Sequence, residues 1–137
     1  MFPTAVSFAL VAMFAWAIWA LLATRATQWL APEVAVVLSY LATIPVAIGY
    51  VLYTQNSISM PAVGVGYAIG AGVFVALGTI AFYAGLQTGD TGIVTAVSGL
   101  YFVVAAVLGI LLFGETLAWR DLLGIGFAVA AILLIAT

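Results

Sequence analysis

The stretch Ile93–Phe113, IVTAVSGLYFVVAAVLGILLF, carries no charged residue. Its polar groups are the hydroxyls of Thr95, Ser98 and Tyr101. A helix rises about 1.5 Å per residue, so roughly 20 apolar residues cross the hydrocarbon core of a bilayer. This stretch has that length. A helix on the surface of a soluble domain would keep one face polar, whereas this one is apolar all round. Only helices and closed barrels satisfy every backbone N–H and C=O in lipid. A barrel strand would alternate apolar and polar residues. The run is continuous, so it reads as a membrane-spanning helix.

The same pattern repeats on both sides of it. Upstream, the tight turn Thr88-Gly89-Asp90-Thr91-Gly92 separates it from an apolar run over about Ala62–Leu86, long enough to require a tilt or bend. A polar turn over Thr54–Pro61 precedes that run. Before the turn comes a helix over about Glu33–Tyr53, with Pro45 near its middle as an expected kink. The pair Pro32-Glu33 suits a helix start, because proline tolerates the first turn and a carboxylate favours the positive end of the dipole. Arg25, Thr27 and Gln28 close the first run, about Thr4–Ala23. This run has no basic segment before it and exceeds a signal-peptide core in length, so it too reads as a span. Downstream, Gly114-Glu115-Thr116 turns into a last helix over about Leu117–Ala136. The expected fold is an all-α integral membrane protein, a bundle of five transmembrane helices forming a single membrane domain over residues 1–137.

Composition agrees. Of 137 residues, 68% are hydrophobic and only 4% charged, against about 25% charged in a soluble domain. The chain is expected to contact lipid on most sides, as a multi-pass protein of the cell membrane. It has neither Cys nor His, which removes thiolate metal sites, disulfides and the commonest general base. With two basic residues in all, it has no patch for nucleic acid. No charged residue falls in the middle of a span, so proton relays and paired-carboxylate catalysis have no candidate groups. The sequence offers no catalytic residue, metal ligand or cofactor motif, and an enzyme is not expected.

Loop charge sets orientation. Arg25 lies between the first two spans and Arg120 begins the fifth. With five crossings those positions face opposite sides, so the bias is one against one, with only the terminal amine to break the tie. Two readings follow. In one, copies insert both ways and pair antiparallel, with the inverted symmetry that transporters use for alternating access. In the other, a partner or hydrophobicity alone fixes a single orientation.

What the spans do hold is aromatic and hydroxyl side chains: Trp16 and Trp19 in the first, Tyr40 and Thr43 in the second, Thr79 and Tyr83 in the third, Thr95, Ser98 and Tyr101 in the fourth. Trp29, Tyr53 and Trp119 fall near span ends, where such rings normally anchor. Trp16, Trp19 and Tyr101 fall deeper, where a buried N–H or O–H needs a partner, either a neighbouring helix or a ligand. The third span carries small residues every fourth place, Gly64, Ala68, Gly72 and Ala76, with Gly66 and Gly70 beside them. Such seams let helices approach closely. The fifth span carries Gly124 and Gly126 without a usable polar group and is expected to be the dimer or lipid-facing helix.

The run Trp16-Ala17-Ile18-Trp19-Ala20-Leu21-Leu22-Ala23-Thr24-Arg25 resembles the tryptophan-rich first helix of EamA-domain proteins in the drug/metabolite transporter superfamily, with Ala17 and Ala20 where glycines are common. Gly114-Glu115-Thr116-Leu117 with Gly124-Ile125-Gly126 resembles the closing signature of that family. Gly99-Leu100-Tyr101-Phe102 resembles its fourth-helix motif, with Phe102 where the family often has proline and Gly99 able to permit a bend. The resemblance covers essentially the whole chain. It implies one half of an inverted-repeat transporter, whose other half comes from a second chain, with a central cavity lined by the first, third and fourth helices of both. The expectation is a transporter or exporter of small neutral or zwitterionic metabolites, acting as an antiparallel homodimer. Trp16, Trp19, Tyr83, Thr95, Ser98 and Tyr101 are its expected substrate-binding residues. The alternatives are a non-transporting structural or regulatory membrane subunit and a half-transporter that pairs with a different chain.

Overall fold

Uninterrupted apolar sequence becomes helix in the computed structural model, which describes residues 4–54, 58–114, 116 and 118–136, the last by its backbone alone. The helices are α1 (Thr4–Ala26), α2 (Pro32–Thr54), α3 (Ala62–Thr88), α4 (Thr91–Gly99), α5 (Tyr101–Phe113) and α6 (Trp119–Ala136). No strand occurs among the described residues. Residues 55–57 of the expected polar turn, and Glu115 and Leu117 of the closing motif, lie outside the described residues.

Among the described residues four stretches have the length and hydropathy of membrane spans: α1, α2, α3 and the composite Thr91–Phe113. The 18 residues of α6 carry Arg120 and Asp121 in the first turn and only apolar residues and glycine from Leu122 onward; at about 1.5 Å per residue they reach roughly 27 Å, close to the hydrocarbon thickness. In each of the four spans, between 0% and 11% of the most apolar window is buried within the chain. A soluble protein cannot leave so much apolar surface in water. Lipid is the solvent, and this is an integral membrane protein.

The chain divides into two compact units, Met1–Thr88 and Gly89–Thr137. In the first, α3 packs against both α1 and α2. Two hydroxyl pairs fix the direction of α2 and α3: Ser39 meets Tyr83 and Tyr40 meets Thr79, each at 2.8 Å. Numbers rise on one helix as they fall on the other, so the helices are antiparallel. Among the described residues of this unit the buried ones are Ala20, Ala23 and Thr27 on and after the last turns of α1, Ala35 and Val36 at the start of α2, and Tyr83 and Leu86 near the end of α3. All lie at one end of the unit. Alanines there permit close approach, as small residues do between membrane helices. At the other end Phe8, Val46, Tyr53, Val63 and Tyr67 are all exposed. Among the described residues full burial is confined to the first end, the closed end of the unit, and does not occur at the other, the open end, although Leu21, Leu22 and Trp29 at the closed end are exposed as well. α2 continues through Pro45 without interruption.

In the second unit α4 packs against α6. The helix expected over Ile93–Phe113 is interrupted at Leu100. Leu100 keeps right-handed angles (φ −61°, ψ −10°). Its N–H, however, bonds to the Val97 carbonyl at 3.1 Å, and the Val103 N–H bonds back to the Leu100 carbonyl at 2.9 Å. These three-residue spacings are a tightened turn, of the kind that marks hinges when it occurs mid-helix. Gly99 precedes it, the weakest helix former of the run. A methyl group added there would meet nothing within 4 Å, so close packing does not explain the glycine. α5 ends on Gly114 in the left-handed region (φ 67°), its N–H bonding to the Ile110 carbonyl at 3.1 Å. α6 begins with the Asp121 carboxylate accepting the Ala118 N–H at 3.0 Å, the reach-back half of a capping box.

Candidate functional site

Ring packing in the first unit centres on Trp19, in the fifth turn of α1. It stacks on Phe82 of α3, with centroids 5.1 Å apart and planes 16° from parallel. It also meets Tyr83, tilted, at 5.8 Å. Phe82 and Tyr83 are adjacent in sequence and sit edge to face at 6.4 Å. Helical geometry splays these neighbours to either side of one ridge of α3, so a single indole touches both. The Tyr83 side chain is 1% exposed, and its hydroxyl shares a hydrogen bond with Ser39 of α2. One tyrosine therefore ties α1, α2 and α3 together, through its ring on one side and its hydroxyl on the other.

One turn toward the open end, Tyr40 and Thr79 form the second hydroxyl pair, both half-buried. Thr79 also donates to the Val75 carbonyl at 2.7 Å. Thr43 donates to the Ser39 carbonyl at 2.9 Å. In hydrocarbon each of these groups would be costly if unpaired, and each has a partner. The charged residues with described structure sit at helix ends: Arg25 in the last turn of α1, Glu33 in the first turn of α2, Asp90 just before α4, and Arg120 and Asp121 opening α6. Arg25 reaches Gln28 at 3.3 Å in the following turn.

Of the expected substrate-binding residues, the first unit brings Trp19 and Tyr83 into contact. Trp16 lies one turn back on α1 and is 59% exposed. In the second unit, Thr95 and Ser98 are exposed on α4 and Tyr101 is 61% exposed at the start of α5, so the three straddle the interruption at Leu100. The Ser98 hydroxyl turns back onto its own helix, at 2.8 Å from the Val94 carbonyl and 3.2 Å from that of Thr95. Tyr83 differs from the rest in being sealed.

Ser39 and Phe82 are contacts that the sequence reading did not single out. The signal for Ser39 was present: Ser39 and Thr43 on α2, like Thr79 and Tyr83 on α3, stand four apart and so share a face. Phe82 carries no such mark among so many apolar neighbours.

No curated protein and no solved structure matches the chain significantly. Residues 3–137 match the sequence model of the EamA-like transporter family, which takes in both units. With a match across nearly its whole length, and with apolar spanning helices as the fold, the chain belongs to the EamA-like transporter family.

Proposed function

We propose that this protein transports or exports small neutral or zwitterionic metabolites across the cell membrane, by alternating access, as an antiparallel homodimer in which each chain is one membrane domain. The observation that carries this reading is the separation of chemistry along the spans. Aromatic and hydroxyl groups occupy the helices while the described charges stand at their ends. A passing solute then meets ring faces and hydroxyls rather than ion pairs. Trp16, Trp19, Thr95, Ser98 and Tyr101 line the path. Tyr83 acts from behind Trp19, holding its ring in place.

Pairing is supported by how little of each span is buried within one chain, and the antiparallel sense by Arg25 and Arg120 at loops of opposite side. Reconstituted vesicles test the whole. Efflux of a neutral amino acid or similar solute is expected, and the double change Trp16→Ala with Tyr101→Ala is expected to abolish it. Flux unchanged by that pair sinks the lining. A second, different chain copurifying in fixed ratio sinks the homodimer and favours a half-transporter or an accessory subunit.

A further inference from the structure

The hydroxyl pair between α2 and α3 has a direction, and the direction has a chemical meaning. A hydroxyl has one hydrogen and two lone pairs, while a carbonyl oxygen can only accept. Thr79 Oγ1 lies 2.7 Å from the Val75 carbonyl oxygen, so its single hydrogen is committed there. Tyr40, at 2.8 Å from Thr79 Oγ1, must then be the donor of the second bond. The chain runs from Tyr40 to Thr79 to the Val75 carbonyl. The hydrogen of Tyr40 is used, and its oxygen is left able only to accept.

The setting makes that acceptor useful. Ser39 and Tyr83, toward the closed end, share a hydrogen bond, with Tyr83 1% exposed. Toward the open end, Thr43, Ile44 and Val75 are exposed. Tyr40 and Thr79 are half-buried between the two regions. The oxygen is held in place by its own bond to Thr79 and lies where the packed part of the unit gives way to the open part. Hydrocarbon and other helices offer it few donors; a polar solute does.

We infer that Tyr40 is a recognition residue, accepting a hydrogen bond from an N–H or O–H donor on the solute, with Thr79 as the positioning residue that forbids Tyr40 to donate. This deepens the proposed function by naming a solute class: small molecules, aromatic rings among them, that carry a hydrogen-bond donor. It adds a residue of α2 to a path otherwise assigned to α1, α4 and α5.

Binding to the purified, bilayer-reconstituted protein tests it without requiring flux. Two probes suffice, benzamide and N,N-dimethylbenzamide, which share ring and carbonyl but differ in N–H donors. Tryptophan fluorescence reports their binding. Wild type is expected to bind benzamide about five- to tenfold tighter, the worth of one hydrogen bond. Tyr40→Phe removes that preference. Thr79→Val releases the hydrogen of Tyr40, which can then donate to the carbonyl of the dimethyl probe, so the preference narrows because the weaker probe gains. A merely structural bond would move both probes together. Equal binding of the two probes by wild type, no binding of either at millimolar concentration, or a preference that survives Tyr40→Phe overturns the assignment. The two readings fail separately. Donor-selective binding without flux in vesicles removes transport and leaves Tyr40, while flux without donor selectivity removes Tyr40 and leaves transport.

Discussion

Tyr83 spends its hydroxyl on Ser39 and its ring on Trp19 and Phe82. Tyr83→Phe keeps the ring and deletes the bond, so the expected cost is about 0.6–1 kcal/mol, the usual worth of a hydrogen bond between membrane helices. Reversible unfolding in mixed micelles reads this directly. The stacked pair is a separate quantity. A double-mutant cycle on Trp19→Leu and Phe82→Leu is expected to give a coupling of about 0.5–1.5 kcal/mol, and a coupling near zero would mean that the rings touch without mutual stabilisation. At this scale the sequence was partly legible. Trp19 and Tyr83 stood out because large amphipathic rings deep in a span need partners. Which partner each takes depends on helix rotation, and apolar neighbours such as Phe82 leave no trace of it in composition.

The fourth span shows what a single residue does to an element. Gly99 costs about 1 kcal/mol of helix stability relative to alanine, and the turn tightens at the next residue. Since a methyl group at position 99 meets nothing within 4 Å, Gly99→Ala is expected to stabilise the protein by up to about 1 kcal/mol and, under the transport reading, to slow flux by stiffening the span. A thermal melt and a vesicle assay on the same variant check both halves. The opposite holds at Gly114, whose φ of 67° disfavours any side chain; Gly114→Ala is expected to cost about 1 kcal/mol in the same melt. The sequence marked Gly99 as able to bend, but not that the helix would break there, because one glycine in a strongly apolar run is compatible with either outcome. Along α3, among the described residues, a methyl added at Gly66, Gly70 or Gly72 of the small seam meets nothing within 4 Å, and one at Gly64 meets only Pro61, at 3.5 Å.

For the whole molecule, the existence of the spans was legible because lipid imposes one requirement, an unbroken apolar length. Packing between spans was not, because faces that are apolar all round carry no period to say which one turns inward. Orientation rests on two arginines, which gives a sharp expectation. With opposed Arg25 and Arg120, a cysteine added at the amino terminus is expected to be labelled by impermeant reagents from both sides of the membrane. Arg25→Ala leaves the bias to Arg120, so the amino-terminal side of α1 is expected in the cytoplasm in every copy. Labelling from one side only in the unaltered protein would remove the antiparallel pair.

The first unit is tied shut at one end alone, where Tyr83, Ala20, Ala23 and Ala35 are buried. In a pair of opposed copies the same latch would face the cytoplasm once and the exterior once. Any substitution in the gene would then loosen both doors together, and a leak made that way would have no preferred direction. Only a tandem fusion carrying Tyr83→Ala in one half would separate the doors, turning a symmetric lesion into a one-sided one.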